Sequence, residues 1–252
     1  FGKEGPSPYA LKSNNIDEEW GGEAARNILA ARLKKFGLEL AGDHVTNHFG
    51  FVGDIMRRYP QLFVIRDKNP ALISDYWFDY DEWKNRHPEV RPIPALQGKV
   101  VLRAQERRWG GGTKTLGTGD VAQISIHSPD AIDIITSLVD EAASKVCGPD
   151  GQGAGLLRFD LAHCLWRNDL LDRVGGFLSY EEWMRFNNNY RGIEPWKVIL
   201  NRIRKKYPNL IAVAEVYGGA QSNADLLALG FDFAYDKERG FYDMAVLRKD
   251  AL

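Results

Sequence analysis

The sequence predicts an α/β chain built on a parallel sheet and interrupted by an inserted subdomain. Three observations carry that prediction. A helical pattern runs directly into a short apolar stretch at three places, as helices packed on parallel strands require. Those stretches end in carboxylates, among them Asp160 and Glu215, where a buried charge has no packing value. Between residues 49 and 127 all periodicity is lost. A structureless loop of that length does not suit a compact domain.

The elements follow in order. Residues 23–36 keep a helical period through Ala25, Ile28, Leu29, Leu33 and Phe36, and Gly37 terminates it. Leu38–Asp43 reads as the strand after it. The insertion over 49–127 is rich in Pro, Gly, Arg and aromatics. Its run Asp75-Tyr76-Trp77-Phe78-Asp79-Tyr80-Asp81-Glu82-Trp83 offers rings either to a sugar or to the insertion's own small core. Ser128-Pro129-Asp130 starts the next helix, with Ser as N-cap and Pro at the first helical position. Ile135, Leu138, Val139, Ala142 and Val146 form its buried stripe. Leu156–Asp160 is the strand that follows. A helix from Pro195, with Val198, Ile199, Leu200 and Ile203 apolar, is closed by Pro208 and leads to the strand Leu210–Glu215. A short helix near 223–229 precedes a last strand, Phe231–Tyr235.

Composition narrows the function. The chain has 252 residues, 44% of them hydrophobic, enough for a sizeable core. A net charge of −1 gives no electrostatic footprint for nucleic acid. No run approaches the ~18 apolar residues of a membrane span. Cys147 and Cys164 lack metal-ligand spacing and read as buried thiols. Gly110-Gly111-Gly112-Thr113-Lys114-Thr115 is not a phosphate loop, because no Gly precedes Lys114. The chain begins at Phe1 and ends at Leu252 inside an apolar stretch. It therefore reads as a processed piece or a fragment, and its localisation is not legible.

The carboxylates suggest chemistry. Paired Asp and Glu side chains facing one cleft are what glycoside hydrolysis uses, and the C-terminal strand ends of an α/β barrel are where chemistry sits. Arg158 lies two residues before Asp160, so both side chains leave the strand on the same face. A guanidinium there keeps Asp160 ionised, as a nucleophile must be. Glu215 is flanked by Ala214 and Val216, and apolar surroundings would keep it protonated as a general acid. Asp43-His44-Val45-Thr46-Asn47-His48 adds a carboxylate, an amide and two imidazoles at another strand end.

In ordered combination these segments resemble the α-amylase family of glycoside hydrolases. Asp43–His48 resembles the segment after that family's third barrel strand. Arg158-Phe159-Asp160-Leu161-Ala162-His163 resembles the fourth-strand motif, and Ala214-Glu215-Val216 the fifth. Ser7-Pro8-Tyr9-Ala10 is similar to the loop after the second strand. Asp120-Val121-Ala122-Gln123 is similar to a segment near the end of the inserted domain. Gly230–Lys237 matches a sixth-strand segment of one branch. Leu156 stands where the family usually has Gly, with Gly155 one residue earlier.

The resemblance implies an incomplete (β/α)8 TIM barrel, about strands three to six. Residues 1–48 and 128–252 would form the barrel part and 49–127 the insertion. It implies a retaining α-glycosidase or transglycosylase acting on α-linked glucans, with Asp160 as nucleophile and Glu215 as acid/base. Tyr9, Asp43, His48, Arg158 and His163 would bind the oligo- or polysaccharide substrate. No cofactor is required for the chemistry. A structural calcium would be held by Asn47 and Asp120, since oxygen ligands from separated segments suit a hard cation. The family's third carboxylate is absent, so residues 1–252 alone are expected to be inactive or poorly stable. The competing reading is a non-catalytic amylase-like protein that binds sugar or a protein partner.

Overall fold

The computed structural model describes residues 9–72, 74–107, 113–115, 120–148, 150–217, 219–237 and 246–248. Ser7, Pro8 and the triple glycine Gly110–Gly112 lie outside the described residues. Contacts divide the chain into two compact units. One comprises Phe1–Ser13, Asn47–Ala131 and Asn168–Arg191. The other comprises Asn14–Thr46, Ile132–Arg167 and Gly192–Leu252.

The second unit alternates helix and strand. Helix α1 (Gly22–Lys35) leads to strand β1 (Ala41–Val45), α2 (Ala131–Cys147) to β2 (Gly155–Asp160), and α3 (Pro195–Lys206) to β3 (Leu210–Val216). Helix α4 (Gly219–Leu229) leads to β4 (Phe233–Asp236), and a short β5 (Val246–Arg248) follows. The sheet order is β1-β2-β3-β4-β5. The first four strands are parallel and β5 is antiparallel to β4. This is four consecutive strands of a (β/α) barrel, the incomplete barrel that the sequence predicts.

Alternation along the strands sorts side chains onto two faces. Leu157, Phe159, Ala212, Ala214 and Ala234 are buried on the face that carries Trp196 and Phe231. The Phe159 ring stands edge-on to both, with centroids 5.1 and 5.6 Å away. The Trp196 indole N–H donates to the Ala162 carbonyl at 2.7 Å, so its polar edge is satisfied. Gly155 lets α2 approach closely, because a Cβ there would meet the Val146 backbone carbon at 2.7 Å.

Three expectations are corrected. The first strand starts at Ala41 rather than Leu38. Gly37 is left-handed (φ 68°), its N–H bonds the Lys34 carbonyl, and the Leu38 N–H bonds the Leu33 carbonyl. Leu38 therefore belongs to the cap of α1. The apolar stripe of α1 is also not buried: Ile28 and Phe36 are 55% and 80% exposed. This helix precedes β1, which among the described residues is an edge strand paired with β2. The helix expected at Ser128 begins at Ala131, because the Ser128 hydroxyl bonds Asp130 Oδ1. Cys147 and Cys164 are buried thiols in no disulfide, as predicted.

The first unit is built from short antiparallel pieces. Ile65–Asp67 and Trp77–Asp79 flank Lys99–Leu102, and His48–Gly50 pairs with Val121–Gln123. The aromatic run lies largely in this unit's own core: Trp77, Phe78 and Tyr80 are buried, and Phe78 stacks on Phe51 at 3.8 Å. The sequence assigned 168–191 to the barrel, but these residues pack in this unit. Arg66 forks onto Glu182 at 3.0 and 2.5 Å, and Arg173 Nη1 donates to the Gln105 carbonyl at 2.8 Å.

His44, on β1, is buried with its ring edge-on to Phe159 at 6.0 Å. Burial pushes its pKa down from 6.5 to about 4, against a small opposing pull from Glu141. The unfolded chain therefore binds a proton that the folded chain refuses. The resulting stability is present above pH 6.5 and is lost as pH falls toward 4. His44→Leu should flatten this acid limb by on the order of 3 kcal/mol, measured by urea unfolding across pH 4–7.

Candidate active site

The inward row of the parallel sheet carries the charges. Register pairs Asp43 with Arg158, Arg158 with Val213, Val45 with Asp160, and Glu215 with Tyr235. Side chains from β1, β2, β3 and β4 thus converge near their C-terminal ends, where barrel chemistry sits.

Arg158 is the hub. Its Nη1 reaches both Asp43 oxygens at 2.8 and 2.7 Å and Asp160 Oδ1 at 3.0 Å. Its Nη2 lies 2.5 Å from Glu215 Oε1, and its Nε donates to the Tyr235 hydroxyl at 2.9 Å. One guanidinium therefore serves three carboxylates. Burial alone would depress its pKa, but Asp43, Tyr235 and Glu215 raise it above the ordinary arginine value.

Glu215 is not in the apolar setting that Ala214 and Val216 suggest. Its Oε1 also meets Lys237 Nζ at 2.8 Å, and its Oε2 accepts the Leu161 N–H at 3.1 Å. Burial pushes its carboxyl up, but Lys237, Leu161 and Arg158 outweigh burial and hold it below the usual carboxylate range. Asp160 moves the other way. Burial and the facing charge of Glu215 push it up to about 7, over the opposing pull of Arg158. Both carboxyls meet the one Arg158 guanidinium, at 3.0 and 2.5 Å, so they face each other as like charges. The expected order, an ionised Asp160 and a neutral Glu215, is therefore reversed.

Leu161 owes its role to its backbone. It is left-handed (φ 48°, ψ 43°), a conformation that costs a branched residue free energy. That turn ends β2 immediately after Asp160 and aims the N–H at Glu215. His163, on the following turn, is buried, with its Nε2 3.4 Å from Cys164 Sγ and its ring 5.8 Å from that of Tyr217.

Tyr9, Asn47, His48 and Asp120 belong to the first unit. Asn47 Nδ2 lies 3.1 Å from His48 Nδ1, and the Tyr9 backbone accepts a hydrogen bond from His48. Burial pushes His48 down to about 4, against a pull from Asp120. It is therefore a neutral ring held in one orientation. Asn47 Oδ1 accepts from Gln123 Nε2 at 3.3 Å, and the same nitrogen bonds the Asn47 carbonyl at 3.1 Å. A carbonyl oxygen has two lone pairs, so Asn47 Oδ1 could still face a cation, and Asn47 and Asp120 would supply two of the about six to eight oxygens that calcium takes.

Tyr235, Lys237 and the Leu161 N–H are site members to which the sequence attached no role. A signal existed. Tyr235 and Lys237 stand two apart at the end of β4, the spacing that places both on one face.

No protein-family model matches the chain, and no curated protein matches it. Solved structures do. An α-amylase from Lactobacillus plantarum superposes with a TM-score of 0.50 at 16% identity, over 92% of this chain and 40% of that one. An α-amylase from H. orenii gives 0.52 at 14% identity, over 90% and 40%. Eubacterium rectale Amy13B gives 0.51 at 14% identity, over 92% and 38%. This chain has the α-amylase fold, in part. It spans about 40% of the length of the first of those structures.

Removing Arg158 should leave three carboxylates facing one another. Arg158→Met is expected to destabilise the chain by about 3 kcal/mol at pH 7. The loss should shrink as pH falls and the carboxyls protonate. Urea unfolding at pH 7 and pH 5 measures both.

Proposed function

We propose that this chain is the central part of a retaining α-glycoside hydrolase or transglycosylase of the α-amylase family, acting on α-linked glucans. The observation that carries this reading is the charge-supported carboxyl pair, Asp160 and Glu215, at the C-terminal ends of adjacent parallel strands. Asp160 attacks the anomeric carbon while Glu215 protonates the leaving oxygen. Glu215 then activates water, or a sugar hydroxyl in the transfer case, to release the glycosyl-enzyme. Arg158 holds Asp160 and Asp43 in place. Asp43, His163, Tyr9 and His48 are proposed as sugar contacts.

The double-displacement chemistry needs no cofactor.

Asp160→Asn in a full-length version should abolish covalent trapping by a fluorinated glucosyl donor, read by mass spectrometry. Undiminished trapping would sink the assignment. Glu215→Gln should lower turnover of a maltooligosaccharide by about 10²–10⁴-fold. Residues 1–252 alone, with four parallel strands of the barrel, are expected to show no turnover of starch-like substrate.

A further inference from the structure

Glu215 carries more positive charge than a proton donor needs. Lys237 Nζ and Arg158 Nη2 meet its Oε1 at 2.8 and 2.5 Å, and the Leu161 N–H meets its Oε2 at 3.1 Å. Asp160 meets Arg158 Nη1 at 3.0 Å, a nitrogen that also serves both oxygens of Asp43. Cations and N–H donors favour the ionised form of the carboxyl they touch. Two carboxyls brought together on one guanidinium face each other as like charges and retain one proton between them, and the better-supplied group gives it up. The proton of this pair therefore sits on Asp160.

The proposed chemistry requires the opposite arrangement, so a donor has to leave Glu215. Arg158 is tied to Asp43 and Tyr235 as well. The Leu161 N–H is fixed by its turn. The Lys237 backbone is pinned, its N–H donating to the Val216 carbonyl at 2.9 Å, but its side chain is 39% exposed. Apart from Glu215 that side chain faces Tyr217, lying 5.7 Å from the ring centroid. The groups around Glu215 are thus Asp43 from β1, Arg158 and Asp160 from β2, Tyr235 from β4, and Tyr217 and Lys237 beyond the strand ends, with His163 next to Tyr217. Lys237 is the most movable cation among them.

We propose that Lys237 is a positioning residue for Glu215: a cationic latch that keeps the shared proton on Asp160 until its ammonium is drawn off Glu215. One proton then passes from the Asp160 carboxyl to the Glu215 carboxylate. The pair keeps its total charge, and no other group gains or loses a proton. The latch rests on the assignment of Glu215 as proton donor, and it gives that site a resting state and a working state.

Carboxyl-carbon NMR titration of this chain, labelled with ¹³C at Asp and Glu side chains, tests the latch. In the unaltered chain the Asp160 midpoint should lie above that of Glu215. Lys237→Met should raise the Glu215 midpoint by at least one unit, a tenfold change in proton affinity, and lower that of Asp160. Lys237→Arg should keep the original order. A Glu215 midpoint above that of Asp160 in the unaltered chain overturns the proposal without any variant. An unchanged midpoint in Lys237→Met, or a Lys237→Arg titration matching it, overturns the proposal as well. The titration involves no turnover, so its outcome is separate from that of the Asp160→Asn trapping experiment.

Discussion

The interaction on which the site depends is the contact of one guanidinium with three carboxylates. Asp43, Asp160 and Glu215 leave three adjacent parallel strands on the same face, and packing cannot tolerate that much negative charge unaided. Arg158 stands in register between β1 and β3, the place from which all three can be reached. Its planar fork suits that task and a lysine's point charge does not. The tilt of each carboxylate, and the position of the Tyr235 hydroxyl, follow from what that fork accepts.

The opposite face of the same strands explains how the row is held. Phe159, Trp196 and Phe231 lock edge to face, and Gly155 admits α2 close to β2. A strand clamped on its helix side has little freedom to rotate Arg158 or Asp160 off the inward face. Directly after Asp160 the chain takes a left-handed turn at Leu161. The strain there is repaid by a backbone N–H placed on Glu215 across the strand boundary. Packing on one face thus sets the electrostatics on the other.

Much of this was legible in the sequence, for reasons that also mark the limit. The helix-to-strand order, the strand-end carboxylates and the Arg158–Asp160 pairing all depend on local period, and period is a property of the sequence. The surroundings of Glu215 were misread because Ala214 and Val216 are its neighbours in the chain only. In a strand the flanking residues point to the other face, so apolar flanks say nothing about what meets the carboxylate. What meets it comes from β2 and from beyond β4. The packing of 168–191 was missed for a related reason: Arg66 finds Glu182, and Gln105 finds Arg173, across long separations. The helix Tyr180–Asn189 itself did have a local signal. Ser179 and Glu182 form a capping box, and an S-x-x-E reading would have placed its start.

Burial across the row is graded, and the gradient separates the three carboxylates. The Asp43 side chain is 46% exposed, that of Asp160 8% and that of Glu215 1%. Water screens Asp43, so it can share Arg158 without a competing penalty. Glu215 is the deepest and would be the hardest to ionise, yet it holds the lower pKa because it has collected two cations and an amide. Asp160, between them in depth, has the smallest share of donors and therefore takes up the proton. Burial raises both carboxyls; the donors overcome it at Glu215 and not at Asp160, and so the charge state of the pair turns on whether Lys237 stays in contact.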